Sequence, residues 1–215
     1  MIHVVAAALM DERGRVLIAQ RLPGKHLAGF WEFPGGKLES GEPRAAGLAR
    51  ELREELGIEI RDPRPLKRVR HTYPHGEVLI DMWVVSRFVG KPTGMDGQAL
   101  KWCGRDELNS VALLPADRPI VRALRLPERL TELSTPDYAV GEAGDGRLRG
   151  SYCANAEAAA QRLGEGAEFL LVRGALPNNE IAALCSRVPI PVFVHGITLE
   201  AAWALGASGI HEIVP

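Results

Sequence analysis

At 215 residues the chain has length for one large domain or two small ones, and either can bury a real core. With 46% apolar and 25% charged residues it reads as a soluble globular protein; no apolar run approaches membrane-spanning length, and residues 1–20 lack a signal peptide's charged start and cleavage site. The net charge of −1 hides an asymmetry. Residues 1–130 carry 21 Lys+Arg against 17 Asp+Glu and residues 131–215 carry 5 against 10, so the first part suits a polyphosphate ligand and the second does not.

Residues 2–10 and 15–21 alternate in the manner of strands around the turn Asp11–Gly14, which predicts a β-hairpin. Leu22–Trp31 holds Pro23, Gly24 and Gly29 and reads as a loop leading into Glu32-Phe-Pro-Gly-Gly36. The two glycines there would let backbone approach a phosphate or a metal. Glu42-Pro43 opens a helix with Ala45, Ala46, Leu48, Ala49, Leu52 and Leu56 as its core face and Gly57 as its C-cap. Glu51, Glu54 and Glu55 stand at i, i+3 and i+4 on that helix, so one face presents three carboxylates. Such an oxygen-rich face suits a hard divalent ion, and Arg50 suits a partner that holds the acidic set together.

Residues 66–73 and 77–89 read as strands around Pro74-His75-Gly76, and Leu100–Cys103 as a short strand. Asp106–Leu108 and Pro119–Leu126 look helical. Beyond a linker at Pro127–Pro136 the rhythm becomes strand–helix–strand. Thr135–Ala139 would be a first strand, followed by strands at 148–154, 168–172, 191–195 and 209–214 and helices at 156–163, 180–185 and 199–205. This alternation predicts βα units and a parallel sheet. Cys103, Cys153 and Cys185 are odd in number and free of C-x-x-C, which argues for a reducing cytoplasm, no disulfide framework and no zinc site.

From Gly36 to Ile58 the chain matches G-x5-E-x7-R-E-U-x-E-E-x-G-U, with U a bulky aliphatic residue, at every fixed position. On that pattern it resembles the Nudix hydrolases. Gln20-Arg21, His26, Glu32–Lys37, Gly94–Gln98 and Leu114–Ile120 make residues 1–126 similar to the MutT branch. The resemblance implies an α+β Nudix fold, a mixed sheet sandwiched by helices, over residues 1–130. It also implies hydrolysis of an oxidised purine nucleoside triphosphate such as 8-oxo-dGTP to the monophosphate and pyrophosphate.

On the same resemblance Glu51 and Glu54 are catalytic, and the Gly35 carbonyl, Glu51, Glu54, Glu55 and Asp96 hold Mg²⁺, with Mn²⁺ as a substitute. The family carries glutamate where Asp96 stands. Arg21 and Lys37 meet phosphate, His26 and Phe33 lie on the base side, with Ile2 and Val4 opposite Phe33. Asp117 occupies the position of the family's base-reading asparagine. An ionised aspartate accepts from N7–H of the oxidised purine but cannot donate to O6. CTP, dCTP or oxidised dATP therefore stay open as substrates, and so does a nucleotide-sensing role acting through the tail. The implied partner is the nucleoside triphosphate, with no nucleic acid polymer and no membrane.

Residues 131–215 resemble part of the thiamine-phosphate synthase/TenI barrel at Gly150-Ser151, Gly166–Val172, Pro189–Gly196 and Gly206–Ile210. A full barrel needs on the order of 200 residues, so a truncated TIM-like remnant is expected. Its unpaired edges suit a scaffold or a homodimer contact.

Overall fold

The computed structural model describes residues 1–74, 76–141, 146–173 and 176–213. It divides into two compact units, Met1–Arg64 with Arg70–Val121, and Pro65–Val69 with Arg122–Pro215.

Up to Cys103 the chain forms strands β1 (Ile2–Leu9), β2 (Val16–Gln20), β3 (Trp31–Glu32) and β4 (Gly35–Lys37), helix α1 (Arg44–Leu56), and strands β5 (Glu59–Arg61), β6 (Arg64–Tyr73, whose Pro65–Val69 stretch belongs to the second unit), β7 (Gly76–Val85), β8 (Arg87–Val89) and β9 (Leu100–Cys103). Helix α2 (Arg118–Ala123) follows a 3-10 turn at Pro115–Asp117. β1 is buried from Val5 to Leu9 because it lies inside a sheet of order β4-β1-β7-β6. It runs parallel to β7, Ile2 opposite Val78, and antiparallel to β4, Ala6 opposite Gly35. The hairpin expected from residues 2–21 is not formed. β2 belongs to a separate antiparallel sheet, β3-β2-β9; just past β1 the Met10–Val16 bridge links the two, and Leu17 packs in the same core as Val5, Ala7 and Leu9. The strand expected over 77–89 is also two: β7 stops at Val85, and β8 turns away to pair antiparallel with β5.

α1 lays Leu48, Leu52 and Leu56 against Val5, Ala7, Leu9, Leu17, Trp83 and Val85. Each of these fully buried leucines contributes about 2 kcal/mol in transfer free energy. Ala45 and Ala46, expected in the core, are exposed in the first turn. That turn is tied down by polar contacts instead: buried Asp81 on β7 accepts hydrogen bonds from Arg44 Nη1 (3.1 Å) and His3 Nε2 (2.5 Å). Gly57 ends the helix in the left-handed region at φ 68°, its N–H donating to the Arg53 carbonyl.

The second unit holds strands β10 (Arg129–Leu130), β11 (Tyr138–Val140) and β12 (Leu148–Cys153), helix α3 (Ala156–Gly164), β13 (Phe169–Val172), α4 (Asn178–Arg187), β14 (Val192–Val194), α5 (Leu199–Ala204) and β15 (Gly209–His211). Every strand pair is parallel, in the order β10-β15-β14-β13-β12-β11. The segment expected as first strand, Thr135–Ala139, becomes β11, the second strand, on the far edge from β10. α3 and α5 are capped by the side chains of Asn155 and Thr198, as their sequences allow. Residue alternation gives the sheet two faces. Leu170, Val172, Val192 and Val194 share one core cluster with the helix residues Ala159, Ile181, Leu184 and Ala202. Phe169, Leu171 and Phe193 pack with Tyr138 and Leu148 in the other. No helix among the described residues is long and apolar enough to cross a membrane. His75 and Val214 lie outside the described residues.

Candidate active site

β4 and α1 face each other, and two glycines set how closely. At Gly35, φ is +148° and a Cβ would stand 2.1 Å from the Val5 carbonyl oxygen, so only glycine lets β4 lie flush on β1. At Gly36 a Cβ would stand 2.1 Å from Glu51 Oε2. The missing side chain is the space that the Glu51 carboxylate fills.

The acidic face of α1 is held in two ways. Arg50 donates Nε and Nη2 to the two oxygens of Glu42, at 3.0 Å each, and Nη1 to Glu51 (2.9 Å) and Glu54 (3.2 Å). Its Nη2 also reaches the Lys37 carbonyl at 3.0 Å. The guanidinium is therefore a brace inside the acidic set, as expected. Its bond to Glu42 also holds that carboxyl below the usual carboxylate range. Glu55 instead points at β4 and accepts from the Gly35 N–H at 3.0 Å. Burial, and then the charges of Glu32 and Glu51, push the Glu55 carboxyl up to about 7 against the pull of that N–H.

Asp96 is brought to this end of the helix. Its loop docks on the Glu55 carbonyl through Met95 N–H (3.0 Å) and Gln98 Nε2 (3.1 Å), and Asp96 shares a small cleft with Arg21, Lys25, Glu32 and Glu55. Among the described residues no three His, Cys, Asp or Glu side chains already converge as a metal nest. The reason is visible: Arg50 and the Gly35 N–H occupy the carboxylates. The donor set still fits a hard cation. All its atoms are oxygen, and a half-buried Glu55 crowded by two carboxylates is what an added divalent charge would relieve.

Beside the acidic face opens a pocket of about 480 Å³, lined by Gly35, Gly36, Lys37 and Glu55 together with Leu114, Ala116 and Asp117. Ile2, Val4 and Ala6 of β1, Ile80 and Phe33 supply apolar wall, and Arg21, His26 and Tyr73 line it too. Arg21, expected at phosphate, is already engaged: it forms an ion pair with Glu32 and donates Nε to the His26 carbonyl at 2.8 Å. Lys37 is exposed and uncommitted to any carboxylate among the described residues.

Asp117 is 4% exposed and accepts from the Phe33 N–H at 3.3 Å. Burial, then the charge of Glu32, pushes its carboxyl up to about 8, so near neutrality it carries its proton. The objection that an ionised aspartate lacks a donor therefore falls away. A neutral acid offers both a donor and an acceptor, as an asparagine does.

Glu32 and Tyr73 also line the pocket, and the sequence signal for Glu32 is a carboxylate just before two glycines. Tyr73, edge-on to His26 (5.9 Å) and His71 (4.4 Å), ended a strand with nothing to mark it.

Comparison with known proteins agrees with this geometry. The chain is 30% identical over 124 residues to the 8-oxo-dGTP diphosphatase of Escherichia coli K12, covering 58% of this chain and 96% of the relative. It is 39% identical over 123 residues to the CTP pyrophosphohydrolase of the same organism, covering 57% and 90%. The crystal structure of a MutT NUDIX hydrolase from Burkholderia pseudomallei aligns with TM-score 0.53 at 28% identity, covering 57% of this chain and 96% of that one. The NUDIX domain description matches residues 5–123, more than half of the chain, and the chain belongs to that family.

Proposed function

We propose that the first unit is a Mg²⁺- or Mn²⁺-dependent pyrophosphohydrolase of nucleoside triphosphates, releasing the monophosphate and pyrophosphate. The observation that carries this reading is one pocket lined by Gly35, Gly36 and Lys37, by Glu55 of α1, by Asp117, and by the apolar side chains of Ile2, Val4, Phe33 and Ile80, a wall suited to a nucleobase.

Glu54, Glu55, Asp96 and the Gly35 carbonyl would hold the divalent cation, together with Glu51. Bound there, the cation supplies charge neutralisation of the phosphates and a more acidic water. Glu51 takes the proton of the water that attacks the β-phosphorus, and the Arg50 hydrogen bond holds Glu51 in place. The bond from the β-phosphorus to the bridging oxygen breaks, and that oxygen leaves with the monophosphate. Lys37, exposed on the pocket rim, meets the phosphate chain, and Glu54 is the ligand whose loss removes the cation.

The neutral Asp117 donates its O–H and accepts at its carbonyl, so it matches O6 and N7–H of 8-oxoguanine. It equally matches N3 and the N4 amine of cytosine. The relatives named for 8-oxo-dGTP and for CTP support the two readings alike. Our preferred reading is removal of 8-oxo-dGTP from the nucleotide pool. Pyrophosphate release should stop with EDTA and with Glu54→Gln, and Mg²⁺ should restore the wild type only. A panel of 8-oxo-dGTP, dGTP, CTP and oxidised dATP decides the base, and near-equal kcat/KM across it would end the sanitising reading.

For the remainder, taken as residues 131–215, the reading is a thiamine-phosphate synthase/TenI-like remnant. It is supported by an all-parallel sheet in which β10 lies next to the last strand, β15, the neighbour relation of a closed βα barrel. The outer edge of β11 is covered by residues 133–135, through Thr135 N–H to the Tyr138 carbonyl and Val140 N–H to the Leu133 carbonyl, at 2.8 Å each, so that edge is not left open for a homodimer contact.

A further inference from the structure

The second unit carries a polar layer that its fold does not use. Tyr152, Arg173, His195 and His211 come from the C-terminal ends of β12, β13, β14 and β15. The registers Tyr152–Leu171, Leu171–Phe193 and Phe193–Gly209 put all four on the sheet face opposite the helices. The four touch in a chain. The Arg173 guanidinium lies 3.4 Å from the Tyr152 ring centre, Tyr152 and His211 are 6.1 Å apart by ring centres, and His211 and His195 5.2 Å.

Part of their hydrogen-bonding capacity is unfilled. Nε of Arg173 and the Tyr152 hydroxyl are buried without a hydrogen-bond partner, and His211 faces the Ile213 carbonyl. His211 is 2% exposed, and among the described residues no carboxylate pairs with Arg173. Groups left this way in a folded protein are destabilising unless something else satisfies them. His195 and His211 also line an open cleft of about 470 Å³ with Arg129, Thr198, Glu200 and Glu212. Ligands of open parallel sheets sit at this edge.

The tautomers define what would fit. A carbonyl only accepts, so His211 Nε2–H donates to the Val172 carbonyl (2.9 Å) and His195 Nδ1–H to the His211 carbonyl (3.0 Å). With Nδ1–H so engaged, the His195 ring presents Nε2 to the cleft, beside a guanidinium and a phenol. Arg173 asks for an anion, and Tyr152 and His195 for hydrogen-bonding groups on it. We propose that this layer is a binding site for a small oxyanion that carries its own hydroxyl, with hydrogen phosphate and an α-hydroxycarboxylate as the two sources of that chemistry.

The test titrates the full chain with inorganic phosphate, glycolate and acetate while following the imidazole resonances of His195 and His211. Saturable shifts with phosphate or glycolate, and weaker ones with acetate, support the site and identify the source. Arg173→Met should weaken binding about tenfold or more, and Tyr152→Phe by a few-fold. Denaturation followed at Trp203 should be unchanged in both and reports that the second unit is folded. If Arg173→Met does not fold, Tyr152→Phe with Arg173→Lys carries the comparison. The absence of saturable shifts in the wild type, or equal titration of wild type and folded variants, overturns the proposal.

Discussion

Replacing Asp117 with asparagine separates its proton from its shape. Asparagine keeps the carbonyl that accepts from Phe33 N–H and offers an amide donor where the acid offers O–H. The carboxyl is raised from 3.8 to about 8. An unfolded Asp117 thus ionises from about pH 4 upward while the folded one stays neutral, and the fold loses stability as pH rises until the folded group itself ionises near 8. At pH 7 the gap is about three pH units, a ceiling of about 4 kcal/mol at 1.4 kcal/mol each. Relaxation and water entry bring the expected gain for Asp117→Asn nearer 2 kcal/mol, roughly 5–10 °C in Tm. Thermal unfolding followed by tryptophan fluorescence suits this because Trp31, Trp83 and Trp102 lie in the first unit and Trp203 alone in the second. The two proteins should melt together near pH 4 and separate progressively toward pH 8. Wild-type kcat/KM should fall above pH 8 while the variant stays flat. A Tm difference that does not vary with pH, or an alkaline fall common to both, would refute the reasoning.

Gly36→Ala forces a methyl onto the Glu51 carboxylate, so kcat should drop by about two orders of magnitude with little change in Tm, read by steady-state kinetics and melting. Arg50→Met leaves Glu42, Glu51 and Glu54 without their common cation and should destabilise by about 2 kcal/mol in urea titration. Acid should loosen the second unit. Burial first, then Arg173 and His195, depress the His211 pKa below its ordinary 6.5. The unfolded chain therefore takes up the proton first, and stability present above about pH 6.5 is lost below it. Denaturation followed at Trp203 should show this, and His211→Phe should abolish the pH dependence.

Local signals were the readable ones. The helix from Pro43 to Gly57 was plain because its cap, its i, i+4 leucines and its three glutamates all lie within one short stretch. Strand partners were not, because pairing is set across the chain. β1 looked bound to β2 next door, yet its partner is β7, with Ile2 facing Val78. β4 was invisible as a strand since Gly-Gly-Lys has little β propensity, and only its contact with β1 makes it one. The five expected metal positions were brought to one end of α1, but their side chains were not gathered, because Arg50 had claimed two of them. The proton on Asp117 was unreadable because it depends on burial and on Glu32, a residue distant in sequence.

The alternation of β1 means that one strand serves two masters. Val5, Ala7 and Leu9 belong to the core under α1, whereas Ile2, Val4 and Ala6 form the floor of the pocket. Substitutions at Ile2, Val4 and Ala6 would reshape the pocket floor and leave the packing beneath the acidic helix alone.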